Sequence, residues 1–151
     1  MLRATDTAVK LQPLTLYDMP STNTCVDMQA ASDQASGVAH QSFNSALPPP
    51  CSWGGSAWAQ DECEGAGNDI ASLQACLQQM WNEKNNSNCA GCVGCTAFGG
   101  ACPGCDYKGA MGPECGHYVN MSAPYFTQVA CGFAGKPPGQ PDGSWAVQNF
   151  Q

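Results

Sequence analysis

A chain of 151 residues with 43% hydrophobic content is long enough for one domain with a real core, and too apolar for a disordered segment. Five basic residues stand against twelve acidic ones, a net charge of −7, and no basic stretch offers a row of phosphate contacts, so nucleic acid and anionic membranes are poor partners. No apolar run approaches the roughly 20 residues of a membrane span, and the opening MLRATDTAVK lacks the apolar region of a secretory leader.

The cysteines point to a compartment. Eleven are spread over most of the chain: Cys25, Cys51, Cys63, Cys76, Cys89, Cys92, Cys95, Cys102, Cys105, Cys115 and Cys131. Such a distribution suits disulfides in an oxidising environment better than one local metal site. The expectation is a secreted, extracellular protein whose signal peptide is not present in this chain and whose Met1 is not the biosynthetic start. The odd count leaves one thiol free, intermolecular, or paired with a cysteine outside the chain.

In chain order, residues 1 to 20 show little regular structure, with turns around Pro13 and Pro20. STNTCVDMQAASDQASG predicts a helix from Ser21, stopped by Gly37, with a modest buried face of Cys25, Met28, Ala31 and Ala35. SALPPPCSWGGSAWAQ reads as a loop that delivers Trp53 and Trp58 for packing. Asn68 can cap the strongest helix, in which Ile70, Leu73, Leu77, Met80, Trp81 and the stem of Lys84 recur at helical spacing. Glu83 falls at the border of that stripe, where a carboxylate can point into a cleft.

CAGCVGCTAFGGACPGC, from Cys89 to Cys105, is otherwise made of small residues, so cross-links or a metal must hold it. Its CxxCxxC and CxxC spacing is compatible with zinc or with a redox pair, but six further cysteines favour disulfides. YFTQVACGF alternates Tyr125, Thr127, Val129, Cys131 and Phe133 on one face of a strand, and SWAVQNF alternates again with Trp145 and Val147 on one side. Together they predict a closing antiparallel hairpin around KPPGQPDG.

His40 and His117 are the only imidazoles, and Glu83 with the group Asp61, Glu62 and Glu64 supplies the nearest carboxylates. Two histidines plus carboxylates can hold a divalent cation or move protons, although a lone histidine is more often a hydrogen-bonded structural residue. Serine-nucleophile, phosphate-loop and calcium-loop patterns are absent. Asn85-Asn86-Ser87 and Asn120-Met121-Ser122 match the glycosylation pattern, the first in an exposed loop, the second buried.

Five blocks in order carry a resemblance to the CAP superfamily, that of cysteine-rich secretory proteins, antigen-five-type venom proteins and plant pathogenesis-related proteins. GVAHQSF is similar to its first-histidine motif, and ACLQQMWNEKNN to the helix bearing an acidic residue just past an aromatic. CGHYVNMSAPYFTQVACGFA resembles the second-histidine block, closest to bacterial-type members. SWAVQNF resembles the closing strand, and PLTLYDMPSTNTCVDMQAASDQ the segment that leads into a helix.

The resemblance covers nearly the whole chain and implies a fold class of α+β, a three-layer α-β-α sandwich with a small antiparallel sheet and disulfide-braced loops. It implies one CAP-like domain over 1–151, with the first helix truncated and 89–105 a Cys-rich insertion. It places His40, Glu83, His117 and Asn120 in a central cleft. The family's GENLAWG segment aligns with AQDECEG, which sets Gln60 where Glu is usual; a shifted register offers Glu62 instead. An amide at that position hydrogen-bonds but does not titrate.

The implied function is a secreted, non-catalytic binding or structural module, with Zn²⁺ or another divalent cation held by His40 and His117, and a protein, lipid or sterol as partner. The alternatives are a metal-dependent, protease-like hydrolase in which Glu83, His40 and His117 are catalytic, and a cross-linked extracellular structural protein.

Overall fold

SWAVQNF alternates so that every second residue faces one side, and the computed structural model makes it an inner strand of a four-stranded mixed sheet. The structure describes residues 2–5, 11–17, 20–44, 59–110, 112, 114–136, 138 and 143–151. Trp53, Trp58 and Cys51 lie outside them. The chain is α+β, and its described residues divide into two compact units: Thr15–Cys76 with Gln128–Gln151, here the sheet unit, and Met1–Leu14 with Leu77–Thr127, the cystine unit.

The sheet unit contains β1 (Thr15–Leu16), α2 (Pro20–Ser36), α3 (Gln41–Asn44), β2 (Ala59–Ala66), β3 (Gln128–Ala134) and β4 (Ser144–Phe150), α1 being the turn Leu2–Thr5 of the cystine unit. Strand order is β1-β3-β4-β2. The predicted hairpin is present, β3 and β4 pairing antiparallel from Val129 opposite Phe150 to Ala134 opposite Trp145. The sheet is mixed and not wholly antiparallel, because Thr15 and Leu16 run parallel beside Gln128 and Val129. This short strand continues in the bond from Tyr17 N–H to the Val129 carbonyl, 2.8 Å.

On two elements the buried face differs from the expected one. The α2 helix buries Val26, Gln29, Ala30 and Asp33, while Met28 is half exposed and Ala31 and Ala35 face solvent. The spacing is helical, but two of the four inward residues are polar and therefore escape a search for apolar periodicity. On β3 the small residues Ala130, Gly132 and Ala134 face in, and Cys131 and Phe133 face out. Close approach of α2 explains the choice: a Cβ on Gly132 would run into the Val26 backbone. Ala130, Ala134, Trp145 and Val147 form the core with Val26 and Ala30. The strand also begins at Gln128 and not at Tyr125, since Pro124 opens a turn closed by Phe126 N–H on the Ala123 carbonyl, 3.3 Å.

Helix α4 (Ile70–Trp81) begins in the sheet unit and ends in the cystine unit. Asp69 caps it, its Oδ1 accepting from Ser72 N–H at 2.7 Å, an arrangement that also lowers the Asp69 pKa. Asn68, the expected cap, instead accepts from Lys136 N–H at 2.9 Å. Ile70 is exposed, whereas Met80 and Trp81 are buried. The α-helix stops at Trp81, and Glu83 sits on a following 3-10 turn, Asn82–Asn85.

The cystine unit is held by nested disulfides: Cys95–Cys102 inside Cys92–Cys105 inside Cys89–Cys115. The disulfide reading of this region is correct, and the cross-linking extends past Cys105 to the residue before α5 (Gly116–Ser122). Gly91 lets the loop fold on itself, since a Cβ there would meet the backbone of Pro103 and Gly104. Arg3, on α1, is buried and donates to the carbonyls of Ala123 and Phe126, each at 3.0 Å. That places a cation at the C-terminal end of α5, where carbonyls lack partners. In the sheet unit Cys63–Cys76 ties β2 to α4, and Cys25 is also disulfide-bonded. Among the described cysteines Cys131 is the free thiol.

Candidate functional site

His40 belongs to the sheet unit and His117 to the cystine unit, and each lies against another of the candidate residues, Gln60 for His40 and Glu83 for His117. His40 follows the end of α2, where Gly37 N–H closes on the Asp33 carbonyl at 2.8 Å, and it precedes α3. Its φ of 60° is left-handed, a conformation that non-glycine residues adopt at a cost of about 1–3 kcal/mol. Asp33 holds the turn from below: its Oδ1 accepts from Ser42 N–H at 2.8 Å, which satisfies a first-turn donor of α3.

Beside His40 run three polar side chains in series. Asn149 Nδ2 donates to Gln29 Oε1 at 2.7 Å, Gln60 Nε2 donates to Asn149 Oδ1 at 2.8 Å, and Gln60 Oε1 lies 3.0 Å from His40 Nδ1. With its amide nitrogen committed to Asn149, Gln60 can only accept from the ring, so Nδ1 carries the proton and Nε2 the lone pair of the neutral imidazole. Strand alternation makes this possible, since Gln60 and Asn149 are paired across β2 and β4.

The two registers weighed for AQDECEG both reach His40. Residues 60 and 62 share a face of β2, and Glu62 Oε1 lies 3.8 Å from His40 Nδ1. Glu62 Oε2 accepts from Trp145 Nε1 at 2.7 Å. Burial, and then the neighbouring Asp33 carboxyl, raise the Glu62 pKa to about 8. Glu62 is therefore a largely protonated acid at neutral pH. Asp61 is buried on the other face of the strand, and Glu64 is exposed.

In the cystine unit, Glu83 Oε1 is 2.6 Å from His117 Nδ1, and Oε2 accepts from Tyr118 N–H at 3.0 Å. One carboxylate thus orients a ring and caps a helix, because Tyr118 N–H is a first-turn donor of α5 and Cys115 supplies no side-chain cap. A carboxylate only accepts, so His117 also carries its proton on Nδ1. The fully buried Tyr118 packs edge-on against Trp81, ring centroids 5.3 Å apart, next to the turn that bears Glu83. The Cys89–Cys115 disulfide joins the segment after Glu83 to the residue before α5. Asn120 is buried, its Oδ1 accepting from Tyr107 Oη at 3.2 Å.

The chain matches no protein-family model, and no curated protein matches it.

Among the described residues no group of three or more His, Cys, Asp or Glu is arranged to hold a metal ion. What the geometry sets up, separately in each unit, is one histidine with its proton on Nδ1. One stands on an amide chain with a protonated acid nearby, the other on a carboxylate. Gln29, Asp33, Trp145 and Asn149 are the participants that motif reading missed. Period-two spacing from Trp145 and Val147 leads to Asn149, and helical spacing from Val26 and Ala30 leads to Gln29 and Asp33.

Proposed function

We propose that the chain is a CAP-like domain with the three-layer sandwich of that superfamily, exported to an oxidising compartment, acting by binding and not by catalysis. The observation that supports this reading is that each candidate histidine lies against another candidate residue: His40 against Gln60, and His117 against Glu83. The disulfides support the compartment. Charge favours a protein or cation over nucleic acid as the ligand, and a lipid or sterol belongs to the same proposal. Zn²⁺ also enters here, as a cation that an exposed imidazole nitrogen can ligate, with water completing the set.

Glu83 argues for binding over hydrolysis. Both of its oxygens are engaged, one by a ring and one by a helix terminus, so it acts as an orienting residue. The test is zinc titration of the purified protein, with peptide hydrolysis followed in parallel. Uptake that is removed by His40→Ala or by His117→Ala, without turnover, is the expected result. No uptake removes the metal from the proposal, and turnover that Glu83→Gln abolishes while metal is retained would replace it with the hydrolase.

A further inference from the structure

We propose that Asn85 is an acceptor for an N-linked glycan. The inference rests on the reading of the chain as exported, and concerns what is attached to it on the way. Two stretches carry the Asn-X-Ser acceptor pattern, at Asn85 and at Asn120, and the fold treats them in opposite ways. Asn85 is exposed at the end of the turn Asn82–Asn85, and Ser87, whose hydroxyl the reaction requires, is exposed as well. Between them Asn86 is extended, with φ −72° and ψ 140°, and joins the turn Asn82–Asn85 to the 3-10 turn Ser87–Cys92, so the acceptor amide and the hydroxyl both stand on the exposed join of two short turns.

Asn120 lies within α5, with Asn120, Met121 and Ser122 only 5%, 7% and 6% exposed, and its amide oxygen accepts from Tyr107. A sugar there would force α5 out of its packing and break that bond. At Asn85 the folded chain already presents the amide to solvent.

The transfer needs a donor of one chemical class, an oligosaccharide on a polyisoprenyl pyrophosphate. The Asn85 amide nitrogen attacks the anomeric carbon, the carbon–oxygen bond to pyrophosphate breaks with its electron pair leaving on the phosphate oxygen, and the amide loses one proton to a base. The product is an N-glycosyl amide on the turn that also carries Glu83.

The experiment is translation of the full chain, with a secretory leader added, into oxidising endoplasmic-reticulum microsomes, scored by an endoglycosidase-sensitive mass shift. One glycan is expected on the wild type. It should be lost in Asn85→Gln and in Ser87→Ala and retained in Asn120→Gln, because attachment at Asn85 does not depend on α5 being folded. An unmodified wild type overturns the proposal, and so does a glycan that survives Asn85→Gln. The microsomes supply donor and enzyme wherever the natural chain resides, so failure here counts against Asn85 alone. The export reading is tested separately, by where the natural protein is found.

Discussion

His40 and His117 are held by different means. The sheet unit fixes His40 with a run of polar groups on regular elements: Gln29 and Asp33 from α2, Gln60 and Glu62 from β2, Asn149 from β4. The cystine unit has little regular structure besides α5, and fixes His117 with one carboxylate and a disulfide. A sheet offers many positions at defined register, so a ring can be supported by a chain of weak donors and acceptors. A loop-rich segment offers no such register, and covalent bonds take its place.

Removing the covalent support should have the largest effect. Replacing Cys89 and Cys115 together by Ser opens a loop of sequence separation 26 and should destabilise the cystine unit by about 3 kcal/mol, read from denaturant unfolding. The His117 ring signals should then lose dispersion while those of His40 stay unchanged. Equal disturbance of both rings would break the distinction between the units.

A smaller loss is expected on the other side. Gln60→Leu removes an acceptor from His40 and a donor from Asn149, leaving buried polar groups without that partner, for about 2 kcal/mol. Gln60→Glu sharpens the comparison, because it restores a carboxylate beside His40 like the one beside His117. The His40 ring signals should move in the NMR spectrum of that variant while those of His117 stay in place.

The third effect is a slope and not a step. The Glu62 carboxyl is raised from 4.5 to about 8, so between those values the folded chain keeps a proton that the unfolded chain releases. The contribution is complete below 4.5 and is lost as pH rises through about 8. Thermal midpoints should therefore fall from about pH 5 to about pH 9, and Glu62→Gln, a neutral mimic of the protonated acid, should flatten the fall. A wild-type midpoint that rises over this range would contradict the assignment.

The smallest effect is at Cys131. Cys131→Ser should change stability by no more than about 0.5 kcal/mol, since the side chain lies on the exposed face of β3. Alkylation of the denatured, unreduced wild type should mark Cys131.

What could be read from the sequence follows the same division. Period-two alternation gave the closing hairpin, and the cysteine distribution gave a disulfide-bonded loop and not a metal knuckle. Glu83 and His117 were legible because both sit in short motifs. β2 was hidden because Gln60, Asp61 and Glu62 look like a solvated loop, although all three are buried. The inward face of α2 was hidden for the same reason, Gln29 and Asp33 being polar residues whose partners come from strands far along the chain. Apolar periodicity finds a core made of hydrocarbon, and much of the support for His40 is made of amides and acids.

The nesting of the three cystines has a consequence for how the chain can change. Residues 96–101 form the tip of the innermost ring, with Phe98 and Gly99 exposed, and the Cys92–Cys105 ring lies between that innermost ring and Cys89–Cys115. A protease that cuts within the tip releases no fragment, because the ends stay joined through Cys95–Cys102. Lengthening the tip adds loop entropy only as the logarithm of its length. Phe98 lies against the Tyr125 ring, centroids 5.4 Å apart, and Gly99 N–H donates to Tyr125 Oη at 3.1 Å, so a graft or tag in the tip must keep these two residues for the segment after α5 to stay as it is.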